Sequence, residues 1–349
     1  MPGSLRALYK NVKENSLRRL PAEFEKQSFI QIIFPHKKSD WAEYLNDAEK
    51  NFIDIIEAVA SYQDCLLVCH DIDYVRSKLD INRHIHFVQA PTNDTWARDC
   101  SAITVYEDEK PLLLDFEFTA WGGKFEAGLD NRLTQELSSC YSAPIKKMDF
   151  ILEGGAIESN AKGTLLITSE CVFNSNRNIH SREKSEKLLK KVFGVTKVLC
   201  LEHGYLRGDD TDSHIDTLAR FVDERTIVYL KCEDTQDEHY AQLKAMETQL
   251  QSFTDQDGKK FKLVSLPFTN PIYDQDERLP ATYANFLILN EAVLVPVYQD
   301  PHDAQALKTL STLFPQRKII PIACSTLIRQ HGSLHCVTMQ FPYGIKLKT

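Results

Sequence analysis

At 349 residues, 43% hydrophobic and 26% charged, the chain has the composition of a globular protein long enough to enclose a dry site. Its net charge of −8 and the lack of an extended Lys/Arg block exclude general nucleic-acid binding, and no apolar run approaches the ~20 residues of a membrane span. Nine scattered cysteines with no CxxC pair read as reduced thiols of a cytoplasmic protein, not as a disulfide framework.

In chain order, residues 1–20 read as a mildly basic N-terminal extension (Arg6, Lys10, Lys13, Arg18, Arg19) without the apolar stretch of a signal peptide. Residues 41–62 show helical apolar spacing, with Asp40 available as the N-cap, and the apolar run 66–69 follows as a strand. Residues 102–116 read as a hairpin turning at Glu107, Asp108 and Glu109, and 134–141 as a short helix. Residues 163–173 read as a second hairpin, turning at Ser169 and Glu170. A helix over 181–193, ended by Gly194, and a strand over 197–201 come next. Residues 238–253 are a helix followed by the strand 262–266. Residues 285–297 are a hairpin around Asn290 and Glu291, followed by the helix 304–314 and the strand 318–322. The order hairpin, helix, strand recurs at intervals of roughly 60–80 residues. No low-complexity linker divides the chain, so residues 21–349 are expected to form a single α/β domain. An ordinary α/β sheet with mixed connections fits the same pattern.

Four segments are too polar or too specific for ordinary strand ends: 93–99 (NDTWARD), 152–155 (LEGG), 208–216 (GDDTDSHID) and 330–338 (QHGSLHCVT). His214 and Asp216 are two residues apart, and on a strand an imidazole and a carboxylate at that spacing share one face. Cys336 lies in a strand-like run directly after a loop containing Gly332. A thiol with a histidine elsewhere in the fold meets the requirement for nucleophilic catalysis. Glu153 opens a Glu-Gly-Gly run, in which the glycines allow close backbone approach and present the carboxylate at a site rim. Asp99 closes a segment in which Trp96 is placed to wall a pocket and Arg98 to brace carboxylates. Several carboxylates around one cysteine suit a planar cationic substrate, whose N–H groups meet carboxylate oxygens in a forked geometry. The chain has no HExxH, CxxC or EF-hand spacing, so a metal is not expected.

With FTAWGGK at 118–124, GDDTDSHIDTLARF at 208–221, LPATYANF at 279–286 and HGSLHCVT at 331–338 added, six ordered segments are in view. The chain resembles, from about residue 21 to 342, the agmatine deiminase and bacterial peptidylarginine deiminase family of guanidine-modifying enzymes. WGGK and GDDTDSHID resemble the agmatine branch more than the peptidyl branch. The resemblance implies a five-bladed, pseudo-symmetric α/β propeller (pentein) of ββαβ units with the site in its central channel. It implies Cys336 as nucleophile, His214 as general acid and base, and Asp99 and Asp216 as the carboxylates that grip the guanidinium. Glu153 would orient the histidine, and Trp96 and Trp121 would line the channel. The implied reaction hydrolyses agmatine to N-carbamoylputrescine and ammonia through a Cys thiouronium, without metal or organic cofactor. The partner is a small cation, not nucleic acid or a membrane, and a homodimer is left open. One departure is the loop before His335 and Cys336. It reads Gln330, His331, Gly332, Ser333 where many agmatine deiminases carry a glycine-rich loop, which adds bulk at the entrance.

Asp210, four residues before His214, is expected to contact the amine end of the substrate, with Asp212 and Glu202 next in line. The alternative enzyme is a peptidylarginine or free-arginine deiminase. A further alternative is a non-catalytic propeller that binds a polyamine or a protein.

Overall fold

The computed structural model describes residues 17–81, 83–178 and 181–348. Residues 1–16, most of the expected extension, lie outside the described residues, while Arg18–Arg19 pairs antiparallel with Ile103–Glu107. No described helix is long and apolar enough to cross a membrane.

Five sheets of three or four strands share one local order: an antiparallel pair, then a parallel third strand reached through helical turns. The first joins Ile103–Glu107, Lys110–Glu117 and Ile145–Ile151, with Arg18–Arg19 added at its edge. In the second, Ile157–Ser159 and Thr164–Thr168 are followed by Lys197–Leu201 through the helix Arg182–Phe193. In the third, Ala219–Phe221 and Thr226–Lys231 are followed by Lys262–Pro267 through the helix Tyr240–Ser252. The fourth has Leu287–Ile288, Ala292–Val297 and Lys318–Ala323, with the helix Asp303–Leu313 between the last two. In the fifth, the chain's last strand, Thr338–Pro342, pairs with Gln27–Ile33. That strand leads through the helix Leu45–Ala60 to Asp64–Cys69 and then Ile85–Gln89. The central strands of these sheets carry many of the buried aliphatic side chains, including Ile30, Leu67, Leu166, Val228 and Val295.

The expected hairpin at 102–116 forms, and Asp108 and Glu109 both take the positive φ that a tight two-residue turn demands. The expected hairpin at 163–173 does not. Ser169 and Glu170 begin a helical turn, Ser169–Val172, and the antiparallel partner of Thr164–Thr168 precedes it in the chain. Asp40 does not cap the long helix, which starts later at Leu45 after a short 3₁₀ turn, so Asp40 is left to face a cavity. The segment 134–141 breaks into two short turns, Leu133–Glu136 and Ser138–Cys140.

Gly194 ends its helix at φ +65, and a Cβ there would sit 1.9 Å from the Arg18 carbonyl oxygen. The Arg18 side chain donates to the Val192 carbonyl and pairs with Glu107, so this helix end clamps the edge strand. Gly194→Ala adds left-handed strain to that clash, and stability is expected to fall by more than about 1 kcal/mol. Thermal unfolding reads it; an unchanged midpoint would show that the strand does not pack there in solution.

Candidate active site

Cys336 lies in a turn directly ahead of Thr338–Pro342, not on the strand expected of its strand-like run. Three contacts fix the turn. The Arg98 N–H donates to the Cys336 carbonyl at 3.1 Å. The Asn285 Oδ1 accepts from the His335 N–H at 2.8 Å and from the Cys336 N–H at 3.3 Å. The same oxygen stands 3.4 Å from the Cys336 sulfur. Burial pushes the Cys336 thiol well above its ordinary range, and the Asp216 and Asp99 charges push it further.

Asp99 sits on the short helix Ala97–Cys100, its Oδ1 accepting from the Gly155 N–H and its Oδ2 from the Trp121 indole, both at 3.0 Å. Gly155 shows why a glycine follows Glu153-Gly154. A Cβ there would meet His214 Nδ1 at 2.5 Å, Asp99 Oδ1 at 3.0 Å and Asp216 Oδ2 at 3.2 Å. The backbone itself is therefore packed against three of the expected site residues. His214 and Asp216 are not on a strand; they flank the start of a 3₁₀ turn, Ile215–Thr217, yet both side chains are gathered at this point. The loop ahead of them is held by Asp209, which accepts from the Thr211 hydroxyl and the Ser213 N–H.

His214 is 1% exposed, with Nδ1 3.7 Å from Asp99 Oδ1 and Nε2 4.0 Å from Glu153 Oε2. Burial works to lower its pKa, but Asp99, Cys171 and Glu153 more than offset this and raise it well above the ordinary value. That balance favours the protonated, imidazolium form of His214. Glu153 is buried, not at a rim: its Oε1 accepts from Arg177 Nε at 2.7 Å, and burial raises its pKa against the pull of Arg177. Arg177 also reaches Asp212 at 2.5 Å and the Thr211 carbonyl at 3.0 Å, tying Glu153 to the loop that bears His214. The Cys171 sulfur, a Glu153 oxygen and a His214 nitrogen lie within 4.8 Å of one another. With a guanidinium already on Glu153, a further cation there meets repulsion.

A cavity of about 510 Å³ reaches Cys336 and Asp99. Trp96 and Trp121, with ring centroids 6.0 Å apart, form one wall with Phe118, and the half-exposed Phe125 packs edge-on to Trp121 at 5.8 Å. Trp121 is held by an unusual backbone: Ala120, Trp121, Gly122 and Gly123 all have positive φ, at 49°, 55°, 92° and 81°. Gly332 lies flat on Trp96, since a Cβ there would be 2.1 Å from the indole. The loop residues Gln330 and His331 do line the cavity, and His331 is anchored to the Gly208 carbonyl at 2.8 Å.

The rest of the lining is strongly acidic: Asp40, Asp94, Glu126, Asp130 and Asp210, against a single lysine, Lys38. Burial, then the Asp40 and Asp130 charges, push Asp94 up to about 7; burial pushes Asp130 to about 7 as well. Asp210 faces the cavity while its carbonyl accepts from Lys124. Asp212 is committed to Arg177 and Lys124, and Glu202 pairs with Arg182 away from the cavity, so neither is placed to meet a ligand.

Asn285, Glu23, Arg177, His335 and Cys171 belong to this centre and carried no role in the sequence reading. Asn285 and His335 lie inside the recognisable segments 279–286 and 331–338 and were within reach. Glu23 and Arg177 stand alone in ordinary sequence and gave no signal.

Comparison with known proteins agrees with this geometry. The family model described as Porphyromonas-type peptidyl-arginine deiminase matches residues 19–342. A Porphyromonas gingivalis structure provisionally named an arginine deiminase is 45% identical, covering 94% of this chain and 99% of that one, with a TM-score of 0.91. A C. jejuni agmatine deiminase, solved as a Cys-to-Ser variant with substrate bound, is 38% identical over 94% and 97% of the two chains, TM-score 0.89. An Enterococcus faecalis agmatine deiminase is 27% identical over 93% and 96%, TM-score 0.86. A structure named DDAH from Pseudomonas aeruginosa, at 14% identity and a TM-score of 0.51, shares the mixed α/β fold. The chain belongs to the Porphyromonas-type peptidyl-arginine deiminase family.

Proposed function

We propose that the protein is an agmatine deiminase, hydrolysing agmatine to N-carbamoylputrescine and ammonia. The observation that carries this is the cavity: aromatic walls, a thiol flanked by Asp99 and Asp216, and five further carboxylates against one lysine. A dication such as agmatine matches that field at both ends. Free arginine brings a carboxylate into the same acidic space, with only Lys38 to receive it. The substrate-bound C. jejuni relative is named for the same activity.

In the first half-reaction the guanidinium lies between Asp99 and Asp216. Its charge offsets the two carboxylates that hold the thiol neutral, and the Cys336 proton is released as the cation binds. The sulfur attacks the guanidinium carbon, and His214, an imidazolium beside Asp99 and Glu153, protonates the departing nitrogen as ammonia. In the second, the now neutral His214 takes a proton from water, the hydroxide adds to the thiouronium carbon, and the C–S bond breaks to return Cys336. Water is consumed and ammonia released, one of each per turnover.

The five sheets with their common strand order support reading residues 21–349 as one propeller-like catalytic domain with the cavity in its channel. The nine free cysteines suit a reducing cytoplasm. The deciding experiment is ammonia release from agmatine, free arginine and a peptide with internal arginine. Agmatine is expected to be turned over alone; faster release from arginine or the peptide would overturn the assignment.

Asp210 is proposed to read the amine end. Asp210→Asn is expected to lower kcat/KM for agmatine by about 10–150-fold, as for a shielded charged contact worth roughly 1.5–3 kcal/mol. The rate with butylguanidine, which lacks the amine, should not change. Equal losses on both compounds would move the anchor to Asp94.

A further inference from the structure

The mechanism leaves the buried imidazole beside the thiol residue unused. His335, next to the thiol residue, has Nδ1 2.7 Å from Asp216 Oδ2 and Nε2 2.6 Å from Glu23 Oε2. An ionised carboxylate only accepts hydrogen bonds, so each contact takes an N–H from the ring, and a ring with two N–H groups is an imidazolium. Glu23 is itself held by Arg220 at 2.8 Å and by the Ile288 N–H at 2.8 Å. Arg220 in turn pairs with Glu158. Burial works to raise both carboxyls, but His335 and Arg220 hold Glu23 well below the usual carboxylate range, and His335 lowers Asp216. The result is a buried row of alternating charge: Asp216, His335, Glu23, Arg220, Glu158. At its inner end, Asp216 Oδ1 is buried with no hydrogen-bond partner.

We propose that His335 is a positioning residue. It donates to both carboxylates and grips Asp216 Oδ2, leaving Oδ1 as an acceptor for the substrate guanidinium, while Glu23 and Arg220 fix the ring from behind. This rests on the assignment of Asp216 to the guanidinium. It gives the two histidines of the centre different work: His214 moves protons, and His335 holds one.

The test is calorimetric titration of agmatine into the Cys336→Ser protein, which binds without turnover, from about pH 5.5 to about pH 8.5. His335→Gln in that background is expected to bind about tenfold more weakly at the alkaline end and about hundredfold more weakly at the acid end. The sign follows from Asp216. Without the imidazolium its pKa rises, it takes up a proton as pH falls, and a neutral carboxyl no longer holds a guanidinium. Arg98, Arg220, His214 and Asp99 face the same region in both proteins, and Asp94 and Asp130 titrate alike in both. The ratio of the two affinities therefore isolates His335. A ratio independent of pH would reduce His335 to a space-filler and overturn the inference. Should His335→Gln not fold, Glu23→Gln decides: the ring then needs only one N–H, and a smaller, same-signed pH-dependent loss is expected, with a flat ratio of one overturning the proposal. A parent that binds no agmatine fails the functional assignment instead, and methylguanidinium in the same titration then decides the role of His335.

Discussion

Cys336→Ser is expected to cut ammonia release from agmatine by about 10⁴–10⁶-fold while leaving the fold intact. Eight other cysteines are available, yet Cys336 alone among them lines the acidic cavity. A serine hydroxyl in its place keeps its proton, because an alcohol is a far weaker acid than a thiol and burial beside Asp216 and Asp99 disfavours the anion further. Asn285 and Arg98 hold the turn through backbone groups that the substitution does not touch, so the thermal midpoint should stay put. Residual turnover above about one part in 10³ would mean that another thiol, or water directly, does the chemistry.

The second large effect concerns His214. His214→Ala is expected to lower kcat by about 10²–10⁴-fold and to let the thiouronium accumulate on Cys336. Departing ammonia can draw a proton from solvent, whereas water near neutral pH is a poor nucleophile without a base, so the second half-reaction suffers more. Quenched enzyme should show the mass of agmatine less ammonia on the peptide bearing Cys336. In the unaltered protein Asp99, Cys171 and Glu153 outweigh burial and raise the His214 pKa, so acid catalysis is expected to persist above the ordinary imidazole range and to fall only at higher pH. A His214→Ala protein that shows neither adduct nor a slowed second step would remove the covalent route.

The elements that carried strong periodic signals were legible in the sequence. The helix over 182–193 ends where Gly194 said it should, and the hairpin around Asn290 forms in register, because alternation and a left-handed stop are local properties. The site was legible by residue type and opaque in geometry. His214 and Asp216 meet the right neighbours, but from a 3₁₀ turn braced by Asp209. Glu153 is reached through Arg177, from a segment with no pattern of its own. Asp40 shows the reverse error: a plausible helix cap by spacing, it serves the cavity because the helix begins five residues later. Ion pairs between distant segments, such as Glu23 with Arg220, leave no periodic trace along the chain.

The wall formed by Trp121 has a handedness of its own. Four successive positive φ angles trace backbone that polymers of D-amino acids adopt by default. Gly122 and Gly123 are achiral and follow it freely, whereas Ala120 and Trp121 are L-residues held against their preference at about 1–2 kcal/mol each. A D-alanine introduced at position 120 by peptide ligation would sit in that backbone unstrained and tighten the wall. At position 121 no such relief exists, because inverting the Cα would swing the indole off Asp99. The enantiomer mismatch at Trp121 is thus the cost of aiming one ring at one carboxylate.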